Sequence, residues 1–157
     1  LAFEPGEPDV MARPPRPPAE PLLSRFLAWR ILFVSLLMAA LAFAIFEWEL
    51  ARGSSLEVAR TSAVNTIVVC EAFYLVNTRL LRASTLTVQG WFGSRAVWIA
   101  FMVLAIFQAA FTYLPQGQSV FGTAALGAAS WAAVAAGGAI LYAAVEIEKT
   151  FTRRLGR

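Results

Sequence analysis

The stretch WRILFVSLLMAALAFAIFEW, residues 29–48, determines how the rest of the chain is interpreted. Apart from Arg30, Ser35 and Glu47, its side chains are apolar, and its length suits a helix that crosses a hydrocarbon core of about 30 Å. Because lipid offers the backbone no hydrogen bonds, such a segment is expected to be α-helical. Three further apolar stretches follow. Together they predict membrane-spanning helices over about residues 29–50, 59–79, 96–113 and 128–147.

The composition favours the same class of protein. The chain has 157 residues, of which 59% are hydrophobic and 15% charged, whereas soluble domains carry about 25% charged residues. A soluble helical bundle would need charged outer faces, which these stretches lack. There is no histidine, and Cys70 is the only cysteine, so an intrachain disulfide framework and a Cys/His zinc site are excluded. We expect Cys70 to be a buried, inert thiol. No nucleic-acid-binding pattern is present.

The distribution of positive charge predicts the topology. Of the 13 Lys and Arg residues, all but Arg52 and Arg60 fall on one side of the predicted spans. The positive-inside rule makes that side cytoplasmic, with both termini there. The sequence therefore predicts an all-α membrane protein, in which a Pro-rich cytoplasmic loop at residues 1–21 precedes a four-helix transmembrane domain at residues 22–157.

The Pro-rich loop contains seven of the eight prolines when Pro21 at its end is counted. Proline fixes φ and lacks a backbone donor, so the loop is expected to be extended and stiff. It could be a plain linker or a polyproline ligand for an SH3-type groove. The chain begins with Leu1 rather than Met, and we expect it to be a fragment of a longer protein.

A carboxylate, Glu71, interrupts the second span within NTIVVCEAFYLVNTR, residues 65–79. An ionised group near the bilayer centre costs at least ~2.5 kcal/mol, so an intramembrane acid is a candidate functional residue. Three interpretations are open: Glu71 binds a transported cation, it is protonated and hydrogen-bonds a neighbouring helix, or the span is misplaced. The other spans offer only Ser35, Gln108 and Tyr142 as polar partners. A hard divalent cation needs six or more oxygens, so helices outside this sequence would have to complete its site.

Several motifs resemble one known family. FEP at residues 3–5, DVMARPPR at residues 9–16 and EPLL at residues 20–23 are similar to the loop after the sixth transmembrane helix of P-type cation-transporting ATPases of the calcium-pump type. NTIVVCEAFYLVNTR resembles that family's eighth helix. FGTAALG, from Phe121, resembles the loop before the tenth, and VEIEK, residues 145–149, resembles the exit from the tenth. The resemblance covers the whole chain and identifies it as helices seven to ten of a bacterial pump.

The resemblance implies roles for individual residues. It makes Glu71 a ligand of the transported cation, with Ca²⁺ the favoured ion, and it assigns Asp9, Arg13 and Arg16 to a loop that couples the membrane domain to the phosphorylation domain. The family's phosphorylated Asp-Lys-Thr-Gly-Thr motif and its nucleotide domain lie outside this sequence, so ATP and Mg²⁺ would act on the parent protein. The chain alone is expected to have no ATPase activity. Its partners would be the remaining helices and cytoplasmic domains of the pump, within the lipid bilayer of a bacterial cell membrane.

Two alternatives remain at this point. The chain could be an independent four-span protein that binds a cytoplasmic partner through its Pro-rich end, or a small ion or proton channel in which Glu71 lines an oligomeric pore. Small residues in the fourth span, including Ala132, Ala136, Gly137 and Gly138, either permit close helix packing or simply face lipid.

Overall fold

The computed structural model describes residues 25–78 and 95–155. Within these residues the fold is all-helical, which confirms the predicted structural class. Helices are found at all four predicted positions, and a short additional helix follows the third of them. The five helices are α1 (Arg25–Ala51), α2 (Leu56–Thr78), α3 (Arg95–Tyr113), α4 (Pro115–Phe121) and α5 (Ala128–Leu155).

Two of these helices are long and apolar enough to cross a membrane unaided, over Leu27–Ala51 and Ala128–Phe151. A third crossing is possible if Trp98–Tyr113 and Pro115–Phe121, which meet at a bend of 74°, form one broken span. Helix α2 does not qualify by composition, because charged and amide side chains interrupt it from Glu57 onwards. The four-span topology with both termini on one side therefore stays a prediction.

Helix α2 lies at the centre of the fold and packs against α1 and α5, whereas α3 contacts it only lightly. A glycine pair on α5 permits a close approach of α5 to α1 and α2. A Cβ on Gly138 would lie 2.8 Å from the side chains of Val69 and Phe73, and one on Gly137 would lie 3.2 Å from Ile45. Both glycines are buried, so this part of the small-residue surface serves helix packing within the chain.

The connection between α1 and α2 is a tight turn that requires glycine. Gly53 has φ of 82°, in the left-handed region that residues with a Cβ rarely adopt. The Gly53 amide donates to Leu50 O at 3.0 Å and the Ser54 amide to Glu49 O at 3.0 Å, which satisfies carbonyls at the end of α1. The turn makes α1 and α2 antiparallel neighbours.

Helix α4 lies in the connection that the sequence predicts to be a loop. Pro115 starts it with a preset φ, and Gly122, with φ of 61°, ends it. Two side-chain bonds hold the bend: Thr123 Oγ1 donates to Phe111 O at 2.8 Å, and Gln118 Nε2 donates to Thr112 O at 2.8 Å. The chain is therefore folded back onto the end of α3.

The helix bundle has two distinct ends. Arg30 of α1, Asn77 of α2 and Lys149 of α5 lie at one end, called here the Arg30 end. Glu49 of α1 and Ser62 of α2 lie at the opposite end, called the Glu49 end. Between them is an apolar core of Val34, Cys70, Leu141 and Val145.

Candidate cation-binding site

Glu71 lies on a face of α2 that is left open by the other residues of the described ranges, 25–78 and 95–155. Its side chain is exposed, as are Ile67, one turn earlier on the helix, and Val64, two turns earlier, each 40% exposed. The spacing of three and four residues places all three on one side. Glu71 is seven residues before the end of α2 at Thr78, about 10 Å along the axis. This face of α2 is thus directed away from α1 and α5.

The Glu71 carboxyl borders a groove of about 430 Å³ between α2 and α3. Apart from Glu71 and Tyr74, the groove is lined by apolar side chains: Ala72, Leu75, Ala100, Phe101 and Leu104. Glu71 makes no hydrogen bond or ion pair within residues 25–78 and 95–155. The same part of the chain holds no cluster of three or more acidic, histidine or cysteine side chains that could bind a metal ion. A carboxylate here can supply two oxygens of a cation site and no more.

The polar residues considered as partners of Glu71 are positioned elsewhere. Gln108 Nε2 donates to Asn65 Oδ1 at 3.0 Å, and the ring of Tyr142 packs edge-on against Phe73 with centroids 6.2 Å apart. Ser35 is exposed on α1. The structure therefore does not bring Ser35, Gln108 or Tyr142 together with Glu71.

Glu57, in the first turn of α2, differs from Glu71. It lies outside the predicted spans, and hydrogen bonds from its own backbone amide and from the Ser55 hydroxyl, with the nearby charge of Arg60, lower the pKa of its carboxyl. It is fully exposed at the helix N-terminus, where negative charge is favourable. Glu57 is therefore a suitable reference residue for substitutions at Glu71.

A buried polar network at the Glu49 end was not anticipated from the sequence. Glu49 is fully buried, and its carboxylate accepts hydrogen bonds from Ser54 Oγ at 2.6 Å and Ser62 Oγ at 3.2 Å. Arg52 Nη1 lies 3.8 Å from Glu49 Oε2, and the Arg52 guanidinium stacks over the Trp48 ring at 4.4 Å. The buried carboxylate thus joins α1 to the start of α2.

The network continues into α3 through Asn65, which is also fully buried. Its side-chain amide donates to Thr112 Oγ1 at 3.2 Å and to Thr61 O at 2.9 Å, while its carbonyl oxygen accepts from Gln108. Thr61 Oγ1 accepts from the Ala124 amide at 3.0 Å. The spacing of the polar residues in TSAVNT, residues 61–66, indicates a polar helix face, and this signal could have predicted the network.

The Arg30 end holds a second buried polar cluster. Arg30 is 1% exposed, with Nη2 3.5 Å from Glu148 Oε2. Lys149 Nζ donates to Asn77 O at 2.6 Å and to Glu146 Oε1 at 3.1 Å, and Asn77 Nδ2 donates to the same Glu146 oxygen at 3.1 Å. Arg30 and Lys149, which the sequence places on the cytoplasmic side, are thus buried between helices. They connect α1, α2 and α5.

The remaining sequence predictions, on Cys70, the small residues of α5 and the Pro-rich loop, have different outcomes. Cys70 is fully buried beside Leu141 in the apolar core, as expected of an inert thiol. Ala132 and Ala136 are exposed, unlike the glycine pair. Asp9, Arg13 and Arg16 lie outside the described residues, as does the rest of the 1–21 loop, so the predicted coupling role stays a prediction.

Comparison with known proteins identifies the family to which this chain belongs. The family model described as "Cation transporting ATPase, C-terminus" matches residues 1–151, and the chain belongs to this family. The chain is 46% identical over 131 residues to the "Probable cation-transporting ATPase F" of Mycobacterium tuberculosis and of Mycobacterium bovis. It is 41% identical over 86 residues to the "Cation-transporting ATPase pma1" of Synechocystis, a match that covers 55% of this chain and 10% of that protein.

The mycobacterial match covers 83% of this chain and 14% of the relative. The predicted family is therefore confirmed, and the chain corresponds to the C-terminal region of a bacterial cation-transporting ATPase. This family membership favours a region of a cation-transporting ATPase over an independent adaptor or channel.

Proposed function

We propose that this chain forms the last four membrane spans of an ATP-driven cation pump and supplies Glu71 to the site of the transported ion. The observation that carries the proposal is the exposed Glu71 carboxyl, which has no partner in the described part of the chain and lies on a face of α2 that includes Val64 and Ile67. In hydrocarbon, such a face is unfavourable unless other protein covers it. The remaining helices of the pump would cover it and add the missing ligands.

The arrangement of the helix ends supports four alternating spans. The start of α1, the end of α2 and the end of α5 meet at the Arg30 end, and Asn65 of α2 is bonded to Gln108 and Thr112 of α3 toward the Glu49 end. The Arg30 end would face the cytoplasm, on the side of most Lys and Arg residues. Both termini and the 1–21 loop would then be cytoplasmic, in a bacterial cell membrane.

We propose Ca²⁺ as the transported ion, as the family resemblance implies, and a carboxylate is a suitable ligand for it. Calcium takes six to eight oxygen ligands, commonly including mono- or bidentate carboxylates, and tolerates irregular geometry. Glu71 would supply one carboxylate, and oxygens from the other transport helices would complete the shell.

Energy for transport would come from ATP and Mg²⁺ bound to the cytoplasmic domains of the pump. The Pro-rich loop, with Asp9, Arg13 and Arg16, would lie against those domains. Seven prolines restrict the backbone of this segment, so displacement of one end would be transmitted to the other with little loss. The loop would thus couple phosphorylation to movement in the membrane.

The test is Glu71→Gln in the full-length protein, with Glu57→Gln as the matched control on the same helix. Glutamine preserves size and hydrogen bonding but removes the negative charge. We expect the Ca²⁺ concentration that half-saturates ATPase activity to rise about tenfold or more, which corresponds to about 1.4 kcal/mol of binding free energy. Glu57→Gln should leave it unchanged. If ATPase activity depends on Ca²⁺ concentration equally in Glu71→Gln and wild type, Glu71 is not a ligand of the transported ion.

A further inference from the structure

A narrow apolar cleft of about 360 Å³ separates α3 from α2 and the first turn of α5. Val69 and Ala72 line it on α2, and Ala105 lines it on α3. Along α3 it extends from Trp98 to Tyr113, a distance of about 22 Å at 1.5 Å per residue. The volume is therefore spread over a long, thin space.

The polar groups that border the cleft already have partners. Gln108 Nε2 donates to Asn65 Oδ1, Tyr113 Oη donates to Leu126 O at 3.0 Å, and Trp131 Nε1 donates to Tyr113 Oη at 2.6 Å. The remaining lining is aliphatic or aromatic. An occupant that offered hydrogen bonds would find few to make, so the cleft selects for an apolar occupant.

The shape favours an occupant thinner than a helix. An α-helix with its side chains is about 10–12 Å across, whereas the hydrogen bond from Gln108 to Asn65 still joins α3 to α2 and limits their separation there. A single extended hydrocarbon chain fits a space of this length and volume. Membrane lipid would be adjacent to the cleft, because the outer surface of α3 would itself face lipid. This surface exposes Ile99, Met102 and Phe107, the last of them 71% exposed.

We propose that this cleft binds one acyl chain of a membrane phospholipid, which fills the gap between α2 and α3 and stabilises the position of α3. Trp98 and Tyr113, at the two ends of the cleft, have the amphipathic rings that prefer the membrane interface, consistent with a chain lying along the span. The bound chain supplies the contacts that α2 and α3 do not make with each other. The proposal is independent of the role of Glu71.

The test fills the cleft with larger side chains, so that an acyl chain can no longer enter it. Ala105→Leu and Ala109→Leu, combined in the full-length protein, place two larger side chains in it without touching the Glu71 groove, and Ala139→Leu, on an exposed position of α5 outside the cleft, is the control. After exchange into detergent, native mass spectrometry counts the phospholipids retained, and the melting temperature is measured before and after phospholipid is added back.

We expect wild type and Ala139→Leu to retain one phospholipid more than the double variant, and to gain more in melting temperature when lipid is restored, because ligand binding stabilises the folded state. Equal lipid retention in all three proteins would overturn the proposal. Wild-type protein in nanodiscs of brominated phospholipid gives a second measurement that needs no variant. Bromine density in the cleft supports the proposal, whereas protein density there, from residues 79–94 or another helix, overturns it.

Discussion

Removal of the Lys149 ammonium tests how strongly the Arg30 end holds α2 and α5 together. Lys149 is 3% exposed and donates to Asn77 O and Glu146 Oε1. At 3.1 Å and an effective dielectric constant of about 20, its attraction to Glu146 is about 5 kcal/mol before desolvation is subtracted. Breaking a buried ion pair by removing one partner costs about 3–5 kcal/mol. Since Glu146 is 15% exposed, we expect Lys149→Met to lower the free energy of unfolding by about 3 kcal/mol.

A double-mutant cycle with Glu146→Gln measures the interaction itself. The free energy of unfolding is obtained by SDS titration of the intact protein in mixed micelles, with Glu47→Gln, exposed near the opposite end, as the control. Because the double variant leaves no unpaired charge, its destabilisation should be smaller than the sum of the single effects by about 1–2 kcal/mol. A Lys149→Met effect below about 1 kcal/mol, or strict additivity, would refute the view that this cluster stabilises the bundle.

Two further predictions concern helix packing. Gly138→Leu should destabilise the protein by about 1–3 kcal/mol, because even an added Cβ would lie 2.8 Å from two side chains of α2. Ala139→Leu, on the exposed side of α5, should change stability by about 0.5 kcal/mol or less. Equal melting temperatures of the two variants would contradict the packing seen here. Asn65→Leu removes the bonds to Gln108 and Thr112 and should cost about 1–3 kcal/mol. Backbone amide hydrogen exchange should then become faster in α3 but not in the first half of α1. Equally faster exchange in both helices would contradict the view that Asn65 holds α3 locally against α2.

The sequence predicted the helical class and the positions of four helices, because long apolar stretches in lipid have few structural options. It predicted the family through short motifs such as DVMARPPR, residues 9–16. It did not predict α4, since a seven-residue helix with no charge carries little periodic signal and depends on bonds such as Thr123 Oγ1 to Phe111 O. It also missed the burial of Arg30 and Glu49. Whether a charge near a span end reaches water or a neighbouring helix depends on helix rotation, which composition does not define.

Polar contacts hold α2 at two places, one on either side of Glu71. Near the Glu49 end, Asn65 ties α2 to α3, and at the Arg30 end Asn77 O accepts from Lys149 of α5. Glu71 lies between these two ties, about 9 Å along the helix from each. In the proposed role of Glu71, a carboxylate held within a few tenths of an ångström of a cation needs a support that neither rotates nor slides. Buried polar contacts at both ends provide that support and leave the Glu71 face free for other helices, whereas a helix held by apolar packing alone could rotate with less penalty.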